Sequence, residues 1–294
     1  MKSIILGTDW WTDCDDAVAL RIITRYIKRG ELRLLGVVIN ACMEYSVASL
    51  SGFLAADGVE GVPIGIDLEA TDFGGSPPYQ KNLAEGLSSG LSNGDAEEAV
   101  ALYRRLLSEA DGQVEMIEIG YPQVLAALLT SPPDGVSDRS GAELVREKVS
   151  RLWVMAGKWD GDGERENNFC RNPRSRVAGK LLCELCPVTI TVLGWETGFG
   201  VLTGGRLKEN DHLRQVMSDH GSENGRHSWD PMLTLMAIIG DEERAGYRTV
   251  TGRASVDAET GANHFIPSSD GLHRYVIKAR DDGYYRDMID GIIE

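Results

Sequence analysis

Four aspartates crowd one strand-to-helix turn near the start of the chain, and they constrain the fold more than any other feature. The apolar residues 4–6 predict a buried strand. From about Asp16, apolar residues recur at three- and four-residue spacing, which predicts a helix. Between these two elements lie Asp9, Asp13, Asp15 and Asp16. Ligands of α/β proteins bind where strands reach their carboxyl ends, so this turn is a candidate site.

The density of acids in this turn predicts a bound ligand. One or two aspartates at a helix N-terminus are explained by the helix dipole alone. Four carboxylates so close together repel one another, and this repulsion is costly unless a cation or hydrogen-bond donors lie among them. We therefore expect a metal or a polyol at the turn. Because the side chains offer only oxygen, the expected metal is a hard cation, Ca²⁺ or Mg²⁺.

Two other acidic motifs are compatible with several aspartates in one turn, and residue spacing distinguishes them. A Ca²⁺-binding helix-loop-helix needs Gly at the sixth loop position and Glu at the twelfth. Counting from either Asp9 or Asp13, neither position holds the required residue, which excludes this motif. A phosphotransferase with an aspartate nucleophile also has Asp-x-Asp at a strand end. Here the Asp-x-Asp begins at Asp13, well past the strand, so this alternative fits less well but stays open.

Length and charge narrow the classes of function. The chain has 294 residues, 42% of them hydrophobic, which is enough for a large core in one α/β domain covering residues 1–294. The net charge of −15, from 30 basic and 45 acidic residues, argues against binding to nucleic acid or to an anionic membrane. Neither a bilayer-spanning apolar stretch nor a secretory signal is evident, so we expect a cytoplasmic protein.

The five cysteines are expected to be reduced thiols, because the sequence carries no export signal. Cys183 and Cys186 have the spacing of a redox or zinc pair, but no second pair accompanies them. We interpret both as small buried hydrophobic residues, with a metal or redox role as the alternative.

Apolar strands alternate with amphipathic helices along the chain, which predicts an α/β fold. The predicted architecture is a mainly parallel, Rossmann-like open sheet with helices on both faces. Residues 248–256 and 272–277 are predicted to form a small C-terminal β-extension, and residues 284–293 a closing helix. The earlier strands are predicted at residues 4–6, 32–39, 63–66, 114–119, 152–155 and 188–193.

Two polar segments interrupt this alternation. Residues 67–94 are rich in Gly, Ser and Pro, and loops of this length in compact domains are usually functional, so we predict an active-site lid. Residues 158–168 are polar and irregular and follow a predicted strand. Because parallel strands end at one edge of a sheet, this second segment is expected to lie beside the aspartate turn.

Four separated segments are similar, in the same order, to the pattern of the nucleoside hydrolases of the inosine-uridine-preferring type. The first is the turn that begins Thr8-Asp9 and continues through Thr12, Asp13, Asp15, Asp16 and Ala17. The others run from Ile117 to Leu125, from Met155 to Pro173, and from Ser228 to Pro231. Together these segments span nearly the whole chain, and their shared order makes a chance similarity unlikely.

This resemblance implies a Ca²⁺ site made from distant segments. The implied ligands are Asp9, Asp16, Asp230 and the backbone carbonyl of Ile119. Asp9 is also implied as the general base that takes a proton from the attacking water. The alternative for Asp230, which precedes Pro231, is a plain helix N-cap. Asp13 is expected to cap the first helix and to orient the other acids.

The resemblance also implies how a ribose would be held. Asp15 is expected to bind the 3′-hydroxyl, and Glu166 and Asn168 the hydroxymethyl end of the sugar. These two residues are one strand period apart, so an extended backbone would point both the same way. Their alternatives are a solvated loop acid and a turn residue. Asn40, after the second strand, is the candidate for a sugar-binding Asn.

The chain departs from the family pattern at several positions. Gly7 stands where the family has its first acid, Trp11 where it has a small residue, and Asn167 where it has an aromatic residue. Trp229 stands where some members have the His that protonates the leaving group, which makes His227 the candidate for that role. Four tryptophans are interpreted either as an aromatic wall that stacks on the base or as core residues. They are Trp10, Trp11, Trp159 and Trp229.

The sequence thus predicts Ca²⁺-dependent hydrolysis of the N-glycosidic bond of a ribonucleoside, which gives ribose and a free base. The reaction passes through an oxocarbenium-like sugar cation, and an acidic, oxygen-rich site suits it. One alternative is a non-catalytic protein that binds a nucleoside or ribose and retains the metal ligands. Another is a metal-dependent phosphohydrolase, against which the lack of a Gly-rich phosphate loop argues. The resemblance implies a homodimer or homotetramer.

Overall fold

The computed structural model describes residues 1–11, 13–74, 79–87 and 89–294. Strands and helices alternate through the first half of the chain. Its elements are β1 (Lys2–Thr8), α1 (Asp15–Lys28), β2 (Leu32–Ile39), α2 (Ser46–Ala56), β3 (Ile64–Ile66), α3 (Gln80–Gly86), β4 (Glu97–Glu98), α4 (Ala99–Glu109), β5 (Val114–Glu118), α5 (Gln123–Thr130), α6 (Gly141–Lys148) and β6 (Val149–Met155).

The second half begins with short elements and ends with three longer strands and a helix. Its elements are β7 (Glu164–Arg165), α7 (Asn167–Cys170), α8 (Pro173–Leu185), β8 (Ile190–Leu193), α9 (Trp195–Gly198), β9 (Leu202–Thr203), α10 (His212–Asp219), β10 (Arg226–His227), α11 (Trp229–Ile239), β11 (Tyr247–Val256), β12 (Ala262–Pro267), β13 (His273–Lys278) and α12 (Asp282–Ile293).

One large sheet has the strand order β4-β3-β2-β1-β5-β6-β8-β13-β11-β12-β7. Every neighbouring pair from β4 to β13 is parallel, and the three pairs beyond β13 are antiparallel. The predicted α/β class with a mainly parallel sheet is therefore confirmed. The C-terminal β-extension is larger than predicted, because β12 was missed and β11 pairs with both β12 and β13.

Helices cover both faces of the sheet, and the side chains of β1 show the division. Ile4 and Leu6 pack into one hydrophobic cluster, whereas Ile5 packs into a second cluster on the opposite face. This alternation is the two-residue period of a strand that is buried on both sides. Cys186 is buried in the second cluster, Cys183 packs against it, and both are free thiols.

The predicted lid at residues 67–94 is only partly irregular. It contains α3 and a 3₁₀ turn at Asn93–Asp95, while residues 75–78 and 88 lie outside the described part of the chain. Tyr79 and Gln80, at the start of α3, are buried. Within the described ranges, no helix combines the length and apolar character needed to cross a bilayer.

Candidate functional site

A cavity of about 270 Å³ opens at the carboxyl edge of the sheet, beyond the ends of β1, β5, β6 and β8. Ligands of open α/β sheets bind at this edge. Among the described residues its lining is mostly acidic, amide and aromatic. The lining residues are Asp9, Asp13, Asp15, Asp16, Ile119, Met155, Glu166, Asn167, Asn168, Trp195, Arg226, Trp229 and Asp230.

Three buried carboxylates from distant parts of the chain meet in this cavity. Asp15 and Asp16 begin α1, and Asp230 lies in the first turn of α11. One oxygen from each lies within 4.8 Å of the others. Oδ2 of Asp15 accepts hydrogen bonds of 3.1 Å from the backbone N–H groups of Trp229 and Asp230. Asp15 therefore joins the N-termini of the two helices.

The chain between β1 and α1 folds back on itself at Trp10. Its φ of 46° is the only positive value at a non-glycine residue in the described chain. Such a conformation costs about 1–3 kcal/mol and needs support from its surroundings. The buried indole supplies that support, since it packs edge-on against Phe53 and Tyr79 and donates a 2.9 Å hydrogen bond to Ser49.

This fold of the turn directs polar groups toward the acids. The Thr8 hydroxyl donates to Oδ1 of Asp16, and the backbone N–H of Trp10 donates to Oγ1 of Thr8 at 3.0 Å. The backbone N–H of Trp11 donates to Oδ1 of Asp9 at 3.1 Å. Asp9 and Asp16 are thus held in fixed positions by their own turn.

The four acids Asp9, Asp15, Asp16 and Asp230, termed the carboxylate cluster below, carry more negative charge than the chain balances. Burial raises the pKa of each carboxyl well above its usual range, and the charges of neighbouring aspartates raise it further. Clustered carboxylate oxygens, with Ile119 lining the same cavity, form the kind of ligand set that Ca²⁺ and Mg²⁺ prefer. The residues present therefore fit a hard divalent cation.

Asp13 has a different environment from the rest of the turn. Its two oxygens accept hydrogen bonds of 2.7 and 2.6 Å from Nε and Nη2 of Arg226, and His220 lies 3.9 Å away. The expected capping role was wrong, because the N-cap of α1 is Cys14 and it has no side-chain cap. The Asp13 carboxylate joins the aspartate turn to β10.

Glu166 and Asn168 both line the cavity, but the extended backbone expected to run through both residues ends at Glu166. Glu166 is the N-cap of α7, and Asn168 lies inside that helix. The Glu166 carboxylate accepts 2.9 Å hydrogen bonds from the backbone N–H groups of Gly157 and Asn168. Asn168 donates a 2.9 Å hydrogen bond to the carbonyl of Met155. Burial raises the pKa of Glu166 to about 7 despite these donors.

Asn40 is fully buried and is not among the described residues that line the cavity. Its amide donates to Oε1 of Glu118 at 2.8 Å, and its Oδ1 accepts from the backbone N–H of Tyr121 at 2.9 Å. Asn40 therefore connects the end of β2 to the chain after β5, on which Ile119 lies. In this structure it holds protein rather than a ligand.

Glu118 occupies the space that opens beside Gly7, and no pattern in the sequence singles it out. The two residues are neighbours in register on β5 and β1. A Cβ atom on Gly7 would lie 2.2 Å from Oε2 of Glu118. The carboxyl accepts hydrogen bonds from Asn40 and from the backbone N–H of Gly120, and burial raises its pKa to about 8. Gly7 stands where the resembled family has an acid, and in this chain a buried acid lies beside that position on the adjacent strand.

Three of the four tryptophans expected in an aromatic wall are core residues. Trp10 supports the turn, as described above. Trp11 is 1% exposed and packs against the stacked rings of Phe73 and Tyr121. Trp159 is 6% exposed and stacks on Tyr275. None of the three is among the described residues that line the cavity.

Trp229 does line the cavity, and Trp195 joins it there. Their rings stack with centroids 6.3 Å apart, and the indole N–H of Trp229 donates to the Trp195 carbonyl at 2.7 Å. His227 lies outside the cavity lining and stacks on Phe199 at 4.6 Å. The signal for Trp195 was present in the sequence, because it follows Gly194 at the end of a predicted strand.

Comparison with solved structures identifies the fold. A crystal structure of an inosine-uridine-preferring nucleoside hydrolase from Bacillus anthracis matches with a TM-score of 0.72 and 14% identity, over 100% of this chain and 99% of that one. A purine-preferring ribonucleoside hydrolase from Gardnerella vaginalis matches with a TM-score of 0.70 and 15% identity, over 99% of each chain. The type III effector XopQ, solved with adenosine diphosphate ribose, matches at 0.68 and 14%, over 99% of this chain and 93% of that one.

No protein-family model matches the sequence, and no curated protein matches it. The likeness therefore lies in the fold, where it extends over the whole length of the chain. The resemblance predicted from four sequence segments is confirmed at that level. The chain has the fold of the nucleoside hydrolases.

Proposed function

We propose that this protein hydrolyses the N-glycosidic bond of a ribonucleoside with the help of a bound Ca²⁺ ion. The observation that carries the proposal is the meeting of Asp15, Asp16 and Asp230 in one cavity, at the edge of a sheet with the nucleoside hydrolase fold. Those three acids come from distant parts of the chain. An unbalanced cluster of buried oxygens is unfavourable unless a cation completes it.

Asp9, Asp16, Asp230 and the carbonyl of Ile119 would hold the ion in this proposal. A bound divalent cation lowers the pKa of a coordinated water and so supplies a nucleophile at neutral pH. Asp15 lies in the same group of oxygens, and we assign it to the 3′-hydroxyl of the sugar. The Asp15 carboxylate also accepts hydrogen bonds from the backbone at the start of α11. These bonds keep it directed into the cavity.

The remaining steps fall to groups of the chain itself. Asp9 takes the proton from the attacking water, and its contact with the Trp11 backbone N–H fixes the position of its Oδ1. Glu166 and Asn168 bind the hydroxymethyl end of the sugar, opposite the aspartate turn. Water adds to C1′ as the C1′–N bond breaks, and the base departs with the electron pair of that bond.

The cavity is slightly smaller than most small-molecule pockets, and its lining suits a single nucleoside. Small-molecule pockets measure about 300–1,000 Å³, so a volume of about 270 Å³ lies just below that range. Trp229 and Trp195 form an aromatic surface beside the acids, which suits a planar base. An acidic cavity on a chain of net charge −15 is a poor site for a nucleic-acid strand.

A non-catalytic protein that binds a nucleoside or a ribose derivative is the second candidate. Trp229 cannot donate a proton as a histidine at that position could, which favours this alternative. The structurally similar effector XopQ was solved with adenosine diphosphate ribose, which is also a ribose compound. Retention of the carboxylate cluster is expected under both candidates, so only turnover distinguishes them.

The test is release of reducing sugar from a panel of ribonucleosides, with Ca²⁺ and with a chelator. The proposed hydrolase releases sugar in Ca²⁺, loses this activity with chelator, and loses it in Asp9→Ala. Asp111→Ala is the matched control, since Asp111 is an exposed acid in the turn before β5, near the opposite edge of the sheet. Binding without release identifies the binding protein, and release of phosphate from a nucleotide identifies a phosphohydrolase.

The quaternary structure is part of the same proposal. We expect a homodimer or homotetramer, by resemblance to the nucleoside hydrolases. Light scattering after size-exclusion chromatography gives the mass in solution, and a mass of 32.1 kDa would show a monomer instead.

A further inference from the structure

One side chain of the cavity lining, the positively charged Arg226, has no role in the mechanism proposed above. Arg226 is the only basic residue among the described residues that line the cavity. It is the first residue of β10, which precedes α11 and Asp230 in the chain. Removing a guanidinium from water is costly without a partner, so a partner for Arg226 is expected close to it.

The partner is Asp13, and it fixes the guanidinium in two directions. Nε and Nη2 of Arg226 donate to the two Asp13 oxygens at 2.7 and 2.6 Å, which is a bidentate pair. The Arg226 side chain also lies over the ring of Trp229, with Cζ 5.5 Å from the ring centroid. Asp13 is the acid of the aspartate turn that stands apart from the carboxylate cluster.

This arrangement leaves one end of the guanidinium available. The two N–H groups on Nη1 donate to no acceptor within the described part of the chain. Arginine offers donors only and stays protonated, so Nη1 can bind an electron-rich atom but cannot supply a proton. The side chain is 31% exposed, which leaves it accessible from the cavity.

The proposed reaction places negative charge on the side of the cavity where Arg226 lies. The sugar lies between the acids and Glu166, so the base is left with the part of the lining formed by Trp195, Trp229 and Arg226. When the C1′–N bond breaks, both electrons go to the base, and the water oxygen forms the new bond to C1′. The water proton goes to Asp9, and the base takes a proton from solvent after it leaves.

We propose that Arg226 stabilises the departing base as an anion, with Nη1 donating hydrogen bonds to the ring nitrogen or oxygen that receives the electron pair. This inference rests on the proposed nucleoside hydrolysis. A fixed donor aimed at developing charge lowers the barrier without proton transfer. Asp13 is then a positioning residue, since it acts by holding Arg226 over the base. His227 is not needed, because its Nδ1 accepts from the Gly200 N–H and its ring packs on Phe199.

The test compares two leaving groups in the full-length protein with Ca²⁺. A natural nucleoside releases a poor leaving group, whereas p-nitrophenyl riboside releases a phenolate that is stable without help. Arg226→Gln is expected to lower kcat/KM about 100-fold on the nucleoside, the usual loss for one such donor, and less than about tenfold on the p-nitrophenyl compound. Arg226→Lys recovers part of the difference, and Asp13→Asn shows the same selectivity with a smaller loss.

Lys208→Gln is the matched control, because it removes one exposed positive charge between β9 and α10. It is expected to change neither ratio. Ca²⁺ affinity of Arg226→Gln, measured by calorimetry, is expected to stay within about threefold of the wild type, which separates loss of a leaving-group contact from collapse of the site.

Equal losses of Arg226→Gln on both substrates would overturn the inference and leave a structural role, as would an undiminished rate on the nucleoside. If the wild type cleaves a nucleoside and Arg226→Gln cleaves it just as fast, the inference fails alone and the proposed hydrolysis stands. If the wild type cleaves neither compound, the proposed hydrolysis fails and this inference falls with it.

Discussion

Helix α1 takes part in two buried acidic clusters that differ in how their charge is balanced. At its start, Asp15 and Asp16 meet Asp230. Farther along α1, Arg21 pairs with Asp57 at 2.9 Å and with Asp211 at 2.7 Å. These three residues are termed the Arg21 cluster. Both clusters link α1 to distant parts of the chain. Only the Arg21 cluster contains a cation that contacts its acids directly.

The pKa values of the two clusters move in opposite directions for this reason. Burial raises the pKa of Asp57, but the hydrogen bond from His212 and the charge of Arg21 outweigh burial and lower it overall. Burial raises the pKa of Asp16, and the charge of Asp9 raises it further. A cluster that is balanced within the chain stabilises the fold. A cluster left unbalanced is neutralised either by protons or by a bound cation, and the Ca²⁺ ion proposed above would supply that charge.

The largest expected effect separates function from stability in the carboxylate cluster. Asp16→Ala removes an implied Ca²⁺ ligand and is expected to lower kcat/KM by about 10³-fold or more, the upper range for one electrostatic contact. Its metal-free form is expected to lose little stability, because the loss of a repelling buried charge offsets the loss of the acceptor for the Thr8 hydroxyl. Rate assays and urea unfolding measure the two effects. A strongly destabilised Asp16→Ala would show that this acid supports the fold instead.

The Arg21 cluster is expected to respond in the opposite way. Asp57→Ala leaves the Arg21 guanidinium, which is 1% exposed, without one of its partners. We expect the free energy of unfolding to fall by about 3–5 kcal/mol. Asp287→Ala, which breaks exposed ion pairs, is the control and is expected to cost about 0–1 kcal/mol. Similar losses in the two variants, measured by urea unfolding, would contradict the distinction between the clusters.

The pH dependence of the metal-free protein should follow the buried glutamates whose pKa values are raised. Glu166 and Glu118 have pKa values raised to about 7 and about 8, above the value of about 4.3 in an unfolded chain. The folded form therefore binds more protons between about pH 4 and 8, so stability falls as pH rises through this window. Between pH 5.5 and 8 we expect a loss of about 2 kcal/mol from Glu166 and about 3 kcal/mol from Glu118, measured by urea unfolding.

Two further measurements sharpen this pH prediction. Ca²⁺ at about 100 times its Kd should restore about 2.7 kcal/mol at pH 8, because the ion binds the ionised acids of the folded form. The Arg21 cluster gives the opposite sign, since the lowered pKa of Asp57 contributes stability that is lost only as the pH falls below about 4. Stability that rises from pH 5.5 to 8 without metal would contradict the prediction.

The smallest effect is expected at Glu118, a buried acid with neutral partners. Its raised pKa keeps the carboxyl mostly protonated at pH 7, so Glu118→Gln keeps both shape and charge and should cost less than about 1 kcal/mol. Glu118→Ala leaves the Asn40 amide and the Gly120 N–H unpaired and should cost about 2–3 kcal/mol. Thermal unfolding measures both. Equal losses would mean that the charge of Glu118 matters after all.

Much of the site was predictable because its residues follow local rules. The aspartate turn lies between an apolar strand and an amphipathic helix, and both elements are visible in the residue pattern. Asp230 and Glu166 were predicted because they lie in segments that resemble the nucleoside hydrolase pattern. The structure brings both to the same cavity as Asp9. The backbone at Asn168 was not predictable in this way, because a four-residue helix such as α7 has no period of its own to detect.

Other features depend on contacts across the sheet. Glu118 is adjacent to Gly7 only because β5 pairs with β1, and Arg226 reaches Asp13 across 213 residues of chain. Trp11 and Trp229 are equally apolar in the sequence, yet one is packed under the turn and the other lines the cavity. Side-chain type gave no indication of which tryptophan would be available.

The sequence by itself determined the alternation of strands and helices, the edge at which the acids gather, and the excess of negative charge in the first turn. Periodicity and like-charge repulsion act over a few residues, so they can be read without coordinates. Only the tertiary structure decided which acids remain unbalanced and which aromatic rings reach the cavity. Those outcomes depend on pairing between distant segments, because the desolvation of a charge is offset only by a partner at hydrogen-bonding distance.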